Sequence, residues 1–162
     1  MIRQAQAADS PAIADLWNPV IRDTTITFTS ALKTPQGLAQ DIAQKAAQDL
    51  PFFLAFDAGN ALQGFATYGP FRNGPGYART MEHTIILAPT ARGQGVGRRL
   101  MAQLQSHAAG QGVHSLWAGV SAENPAGVAF HRSIGFAEIA RLPEVGHKFG
   151  RWLDLILMQK IL

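Results

Sequence analysis

The chain has 162 residues, 47% of them hydrophobic, which is enough for one domain with a substantial core. Its apolar runs are far too short to cross a membrane, and the absence of cysteine excludes disulfides, thiolate metal sites and a cysteine nucleophile. The formal charge of +3 comes from scattered basic residues, so no basic stripe or aromatic platform points to nucleic acid; the densest groups, Arg92/Arg98/Arg99 and Lys148/Arg151, suit small anions.

Residues 1–20 carry Asp9 and Asp15 and lack the basic-then-apolar order of a signal peptide, which makes the cytoplasm the default setting. Ile2–Ala5 reads as a short strand. Asp9-Ser10-Pro11 reads as a helix start, a capping side chain followed by proline in the first turn. Ile13, Leu16, Trp17, Val20 and Ile21 then recur at helical spacing. Thr24–Thr29, rich in β-branched residues, reads as extended chain or loop. Pro35 opens a second helix with Leu38, Ile42, Lys45 and Ala46 on related faces. Phe52–Phe56 is a strand, Asp57-Ala58-Gly59-Asn60 a hairpin turn and Leu62–Tyr68 the returning strand. Gly69–Gly76 is a loop. A fourth strand covers Arg79–Leu87 and ends at Pro89.

A helix runs from Gly95 to Ala109 and stops at Gly110 and Gly112. Val113–Val120 is a strand. Asn124-Pro125 caps a short helix to Ser133, which Gly135 breaks. Phe136–Ala140 and Trp152–Lys160 are the last strands, with His147-Lys148-Phe149-Gly150 a turn or short arm between them. Hairpins come first and strand–helix–strand crossovers after, so one mixed α/β domain, 1–162, is the economical reading.

The most informative stretch is Arg92-Gly93-Gln94-Gly95-Val96-Gly97, between a strand and a helix. A glycine turn there aims backbone N–H groups at an anion. A Walker A loop needs Lys-Ser or Lys-Thr after the last glycine, and none follows. A dinucleotide fingerprint needs GxGxxG and an acid on the next strand; here the spacing is GxGxG and Val113–Val120 has no acid. What remains is Arg/Gln-x-x-Gly-x-Gly, met by Arg92, Gly95 and Gly97, with turn amides and helix dipole holding a pyrophosphate. The bland alternative is a tight turn and nothing more, but three glycines in five residues are costly at a helix start unless something approaches the backbone.

With these motifs the sequence resembles the GCN5-related N-acetyltransferase (GNAT) superfamily. Asn124 to Phe136 is similar to that superfamily's next motif. Gly69-Pro70-Phe71-Arg72, Thr80-Met81-Glu82-His83-Thr84 and Lys148-Phe149-Gly150-Arg151-Trp152-Leu153-Asp154 resemble the phosphinothricin and methionine sulfoximine acetyltransferases. The resemblance runs from Ile2 to Ile161. It implies a seven-stranded mixed sheet splayed between strands four and five, flanked by helices, with acetyl-CoA as co-substrate, a small amine substrate and a homodimer. Separately, the five histidines are dispersed and show no ligand spacing, so no metal is expected.

The same resemblance assigns residues. Glu82 is the candidate base that takes a proton from the substrate ammonium, directly or through water, or a residue that only binds substrate. His83 points to the other face of a regular strand and fits a structural place, from which a protonated ring would tune Glu82. The backbone of Ile85, Ile86 and Leu87 is assigned to the pantetheine arm and the thioester carbonyl. Arg92, Gly93, Gln94, Gly95, Val96, Gly97 and Arg98 are assigned to the pyrophosphate, with Arg99 either beside them or plain surface. Asn124 is a helix cap that also contacts the pantetheine arm. His131 stands where many members carry a tyrosine acid; it is a catalytic acid, a contact to CoA or a satisfied helix-end histidine. Phe71, Arg72, Glu82, His83, Phe28 and Lys148 are the substrate-binding set, and Trp152 is a weaker candidate for it, or core or dimer interface.

Three functions compete at this point. The first is α-amine acetylation of a methionine sulfoximine, methionine sulfone or phosphinothricin-like amino acid. The second is acetylation of a polyamine, an aminoglycoside or a peptide N-terminus. The third is a non-catalytic acyl-CoA-binding module, against which Glu82, Asn124 and His131 speak.

Overall fold

Side chains that satisfy free backbone groups set where the elements start. The computed structural model describes Met1–Leu162. Strand β1 (Ile2–Gln4) leads into a 3-10 turn, Ala7–Asp9, that runs straight into α1 (Ser10–Asp23). Pro11 lies in the first turn of α1, as the sequence predicts. Asp9 does not cap that helix: it sits inside the preceding turn, and its carboxylate reaches back to the Gln6 N–H at 2.7 Å. Both its oxygens also accept from the Arg3 guanidinium, which together with the Gln6 N–H holds the carboxyl below the usual range. Helix α2 (Pro35–Ala47) starts at Thr34, whose hydroxyl accepts from Gly37 N–H at 3.1 Å. Between these helices, Thr24–Thr29 is loop, not strand.

The remaining elements are β2 (Phe52–Phe56), β3 (Leu62–Pro70), β4 (Thr80–Leu87), α3 (Val96–Gly110), β5 (Ser115–Ser121), α4 (Pro125–Ser133), β6 (Ala137–Lys148) and β7 (Arg151–Ile161). The seven strands form one mixed sheet in the order β1-β2-β3-β4-β5-β7-β6. β4 and β5 pair in parallel from Thr80↔Ser115 to His83↔Ala118; the ladder stops there, although β4 continues to Leu87 and β5 to Ser121.

The chain divides into two compact units. One comprises Met1–Asn18, Lys33–Gly69 and Thr84–Gly112. Its core is built from Ile13, Leu38, Ile42, Leu54, Phe65, Leu100 and Leu104, all buried. The other comprises Pro19–Leu32, Pro70–His83 and Val113–Leu162. Leu116, Ala118, Val120, Phe136, Ile156 and Met158 are buried within it. In the first unit Phe52–Ala55 of β2 and Gly64–Tyr68 of β3 are buried in unbroken runs, so both faces of these strands are covered.

Two expectations change. Gly69 and Pro70 belong to β3, and the loop that follows starts at Phe71. The penultimate strand is far longer than Phe136–Ala140: β6 runs to Lys148, and only Phe149 and Gly150 turn the chain into β7. Both turn residues have positive φ, 52° and 73°, the twist that suits a two-residue hairpin. Pro143 and Gly146 hide this strand from a reading by pattern. Its register shifts between Leu142 and Gly146, where Glu144 takes φ 54°, and so breaks the period-two alternation.

Candidate active site

In the first unit, the glycine turn leaves α3 with no side-chain cap. Gly95 is the N-cap, left-handed at φ 72°, and Gly93 is left-handed at φ 74°. The first bond of the helix runs from Arg99 N–H to Gly95 O at 3.1 Å, so the amides just before it have no partner within the helix. A Cβ on Gly93 would meet nothing within 4 Å, so that face of the turn is open to an incoming group. Arg99 donates to Gln94 O at 3.3 Å and Gln94 to Thr90 O at 2.6 Å; both side chains brace the turn. Arg92 and Arg98 sit on either side of the glycines. Amides that make no bond within the helix, a helix dipole and two flanking arginines fit a pyrophosphate.

The same unit holds the end of β4. Ile86 is buried, while Ile85 and Leu87 are half-buried. Gly64 on β3 passes so close that a Cβ there would lie 2.7 Å from Ile86 O and 2.6 Å from Leu87 Cδ2. This packing fixes the backbone that the sequence assigns to the acyl arm.

In the second unit, Glu82 pairs with Trp117 across β4 and β5, so both project from one face of the sheet. Phe71 stacks on Trp117 with centroids 5.2 Å apart and planes 22° from parallel. The Arg72 guanidinium carbon lies 5.6 Å from the Phe71 ring centroid, and no carboxylate pairs with it. Gly119, two residues along β5 from Trp117, makes room for the acid: a Cβ there would be 2.9 Å from Glu82 Oε1. The Glu82 carboxylate has no hydrogen-bond or ion-pair partner; the residue is exposed to solvent on one side, and partial desolvation by its neighbours raises its pKa above the ordinary value. Sequence reasoning missed Trp117 and Gly119. A tryptophan and a glycine on alternate positions of a strand otherwise filled with core residues were the available signal.

His83 faces away from Glu82, as strand geometry requires, and is buried at 7% exposure. Its Nε2 lies 2.9 Å from His131 Nε2. Burial, and repulsion by a charged His131, push His83 down to about 3, so it is not an independent cation beside Glu82. His131 is also buried, its pKa is lowered by burial, and its Nδ1 lies 2.7 Å from Gly127 O, four residues back in α4. Both its ring nitrogens are therefore engaged inside the protein. Asn124 caps α4, Oδ1 accepting from Gly127 N–H at 3.0 Å. A Cβ on Gly127 would collide with the Asn124 amide.

Lys148 and Phe28 meet the chain differently from the expectation. The Lys148 ammonium is turned inward and donates to Thr24 O at 2.6 Å and Thr27 O at 2.8 Å. The side chain is buried, which lowers its pKa. It holds the Thr24–Thr29 loop and does not stand free for a substrate. The Phe28 ring covers Gly146 so closely that a Cβ there would collide with it. Arg151, next across the hairpin, binds Glu123, which also accepts from Thr25 Oγ1 at 2.8 Å. Glu123 is thereby held down to about 2. Trp152 is 61% exposed and packs on His147, so it is not core.

A mixed sheet whose parallel β4–β5 ladder stops at His83↔Ala118, a glycine turn that presents amides at a helix start and an unpartnered strand carboxylate define an acyl-CoA-dependent acyltransferase. Residues 17–136 match the Acetyltransferase (GNAT) family, and the chain belongs to it. It is 37% identical over 161 residues to the L-methionine sulfoximine/L-methionine sulfone acetyltransferase of Pseudomonas paraeruginosa, covering 98% of this chain and 92% of that one. Among solved structures it is similar to the ribosomal-protein-alanine N-acetyltransferase of Brucella melitensis, with TM-score 0.95, 40% identity and coverage of 100% and 99% of the two chains. It is also similar to a phosphinothricin acetyltransferase of Sinorhizobium meliloti in complex with acetyl-CoA, with TM-score 0.94, 29% identity and coverage of 100% and 88%.

Proposed function

We propose that the whole chain, 1–162, is one cytoplasmic acetyltransferase domain that moves the acetyl group of acetyl-CoA directly to the α-amine of a small amino-acid-like substrate, of the methionine sulfoximine, methionine sulfone or phosphinothricin type. The observation that carries this reading is Glu82: an unpaired carboxylate, raised in pKa, in the space that Gly119 leaves beside the Phe71–Trp117 stack. An ammonium has no lone pair, so Glu82 takes its proton, directly or through water, before attack. The amine nitrogen then bonds to the thioester carbonyl carbon, the C–S bond breaks, and the second proton that the nitrogen sheds passes to the departing sulfur, directly or through water. A thiol of pKa about 8.5 leaves as the thiolate without a strong acid, which suits a His131 whose nitrogens are engaged elsewhere.

Arg72, free of any internal carboxylate, suits a bidentate clamp on the substrate carboxylate, with Phe71 walling its side chain. Gly93 to Arg98 take the CoA pyrophosphate and Ile85 to Leu87 the acyl arm by their backbone. Val145, Phe149 and Trp152, all exposed on the β6–β7 hairpin, support a homodimer closed through that hairpin.

The experiment is CoA release from acetyl-CoA against methionine sulfoximine, methionine sulfone, phosphinothricin, ordinary amino acids, spermidine, an aminoglycoside and an alanine-initiated peptide. Turnover confined to the first group supports the reading. The likeness to a ribosomal-protein-alanine acetyltransferase favours one alternative, a peptide N-terminus. Turnover on the peptide alone would replace the first reading with that one.

A further inference from the structure

Three contacts line up through two rings in the second unit. His83 Nδ1 lies 2.9 Å from Trp117 O, His83 Nε2 lies 2.9 Å from His131 Nε2, and His131 Nδ1 lies 2.7 Å from Gly127 O. A carbonyl oxygen only accepts, so each Nδ1 must carry a hydrogen. A neutral imidazole has a single N–H. With that hydrogen on Nδ1 in both rings, each Nε2 presents a lone pair, and two lone pairs do not face each other at hydrogen-bond distance. Three contacts need three protons, and two neutral rings bring two.

We propose that His83 and His131 share one further proton between their Nε2 atoms, so that the pair is a single buried cation bridging β4 to α4. A second proton is shut out by burial and by repulsion between the rings, the causes that hold His83 down to about 3 when His131 is charged. The surroundings supply no counter-ion. Phe130 and Phe136 pack against the pair at 5.2–5.4 Å. On β4 the adjacent Glu82 points to the other face of the strand. On α4 Arg132 is paired with Glu138, and on β7 Lys160 donates to Ile134 O. β5 carries no titratable side chain. The two backbone carbonyls stabilise the charge.

The bridge makes His83 and His131 positioning residues. It pins the residue next to Glu82 to the helix that Asn124 caps, and it leaves neither ring a nitrogen for the reacting groups. That consequence rests on the acetyltransferase reading; the shared proton does not.

The test is long-range proton–nitrogen NMR of the full chain labelled at histidine nitrogens. The expected result is two protonated Nδ1 atoms and one strongly deshielded proton coupled to both Nε2 atoms, lost in His131→Gln. Two neutral rings, one with a bare Nδ1, would overturn the proposal, as would a deshielded proton that survives the substitution. In the activity arm, kcat falls at the pH where the deshielded proton disappears; an unchanged kcat there overturns the positioning role. If no amine is acetylated at all, the functional reading fails, and the NMR result still decides the proton.

Discussion

Gly119 and Glu82 occupy one space: a Cβ on the glycine would lie 2.9 Å from Oε1 of the acid. The carboxylate is thus placed by the absence of a side chain on the neighbouring strand. Gly119→Ala should push it aside, and a displacement of order 1 Å at a reacting group costs about a hundredfold in rate. Steady-state kinetics should show the loss in kcat, with the KM for acetyl-CoA little changed and the fold intact by circular dichroism.

Glu82→Gln should lower kcat about 10²- to 10⁴-fold while acetyl-CoA binding survives. The wild-type kcat/KM should rise with pH along a limb whose midpoint lies above the ordinary carboxylate range, since partial desolvation raises the Glu82 pKa. The sign for stability is the reverse. A carboxyl raised in the folded state is most stabilising when protonated, and that contribution is lost as pH rises through its folded value. The uncharged glutamine should therefore melt higher than wild type at neutral pH while being nearly inactive. A mutant with a lower melting temperature and wild-type turnover would contradict both statements.

Lys148→Met keeps the length of the side chain and removes the ammonium from Thr24 O and Thr27 O. Leaving these part-buried carbonyls unpartnered costs about 1 kcal/mol, the low end of the range for a buried group. The Thr24–Thr29 loop should become the first site of limited proteolysis, and the KM for the amine should rise more than the KM for acetyl-CoA. A rise confined to acetyl-CoA would remove the loop from the amine site.

Gly93→Ala places a side chain at φ 74° in open space. The left-handed conformation costs about 1–2 kcal/mol, a modest loss of stability. The larger effect should be on the acetyl donor, with the KM for acetyl-CoA rising about tenfold and that for the amine unchanged. Calorimetry with CoA and with desphospho fragments would show whether the loss falls on the pyrophosphate.

Much of this was legible in the residues. Prolines and capping side chains at Pro35, Asn124 and Pro125 marked helix starts that the structure keeps. The glycines of the turn were legible because Gly93 and Gly95 adopt backbone angles that other residues avoid. What escaped depends on partners distant in sequence. Lys148 reads as a free cation until the fold carries Thr24 and Thr27 to it. His131 reads as an acid, a contact to CoA or a satisfied helix-end histidine until His83 is found against its second nitrogen. β6 escaped because the bulge that lets it continue past Pro143 also destroys its alternation.

The Phe149–Gly150 turn sets two cations back to back, one on each strand of the hairpin. Lys148 reaches inward to Thr24 and Thr27, and Arg151 reaches Glu123, which holds Thr25. A single residue inserted in or deleted from that turn would shift one cation against the other and release the loop at both anchorages. The shape of the Thr24–Thr29 loop is therefore governed by the length of a turn that follows Lys148, a residue 124 positions beyond Thr24. This turn should keep its length in any working variant, while the Asp57–Asn60 turn, which fastens nothing beyond its own hairpin, is free to grow.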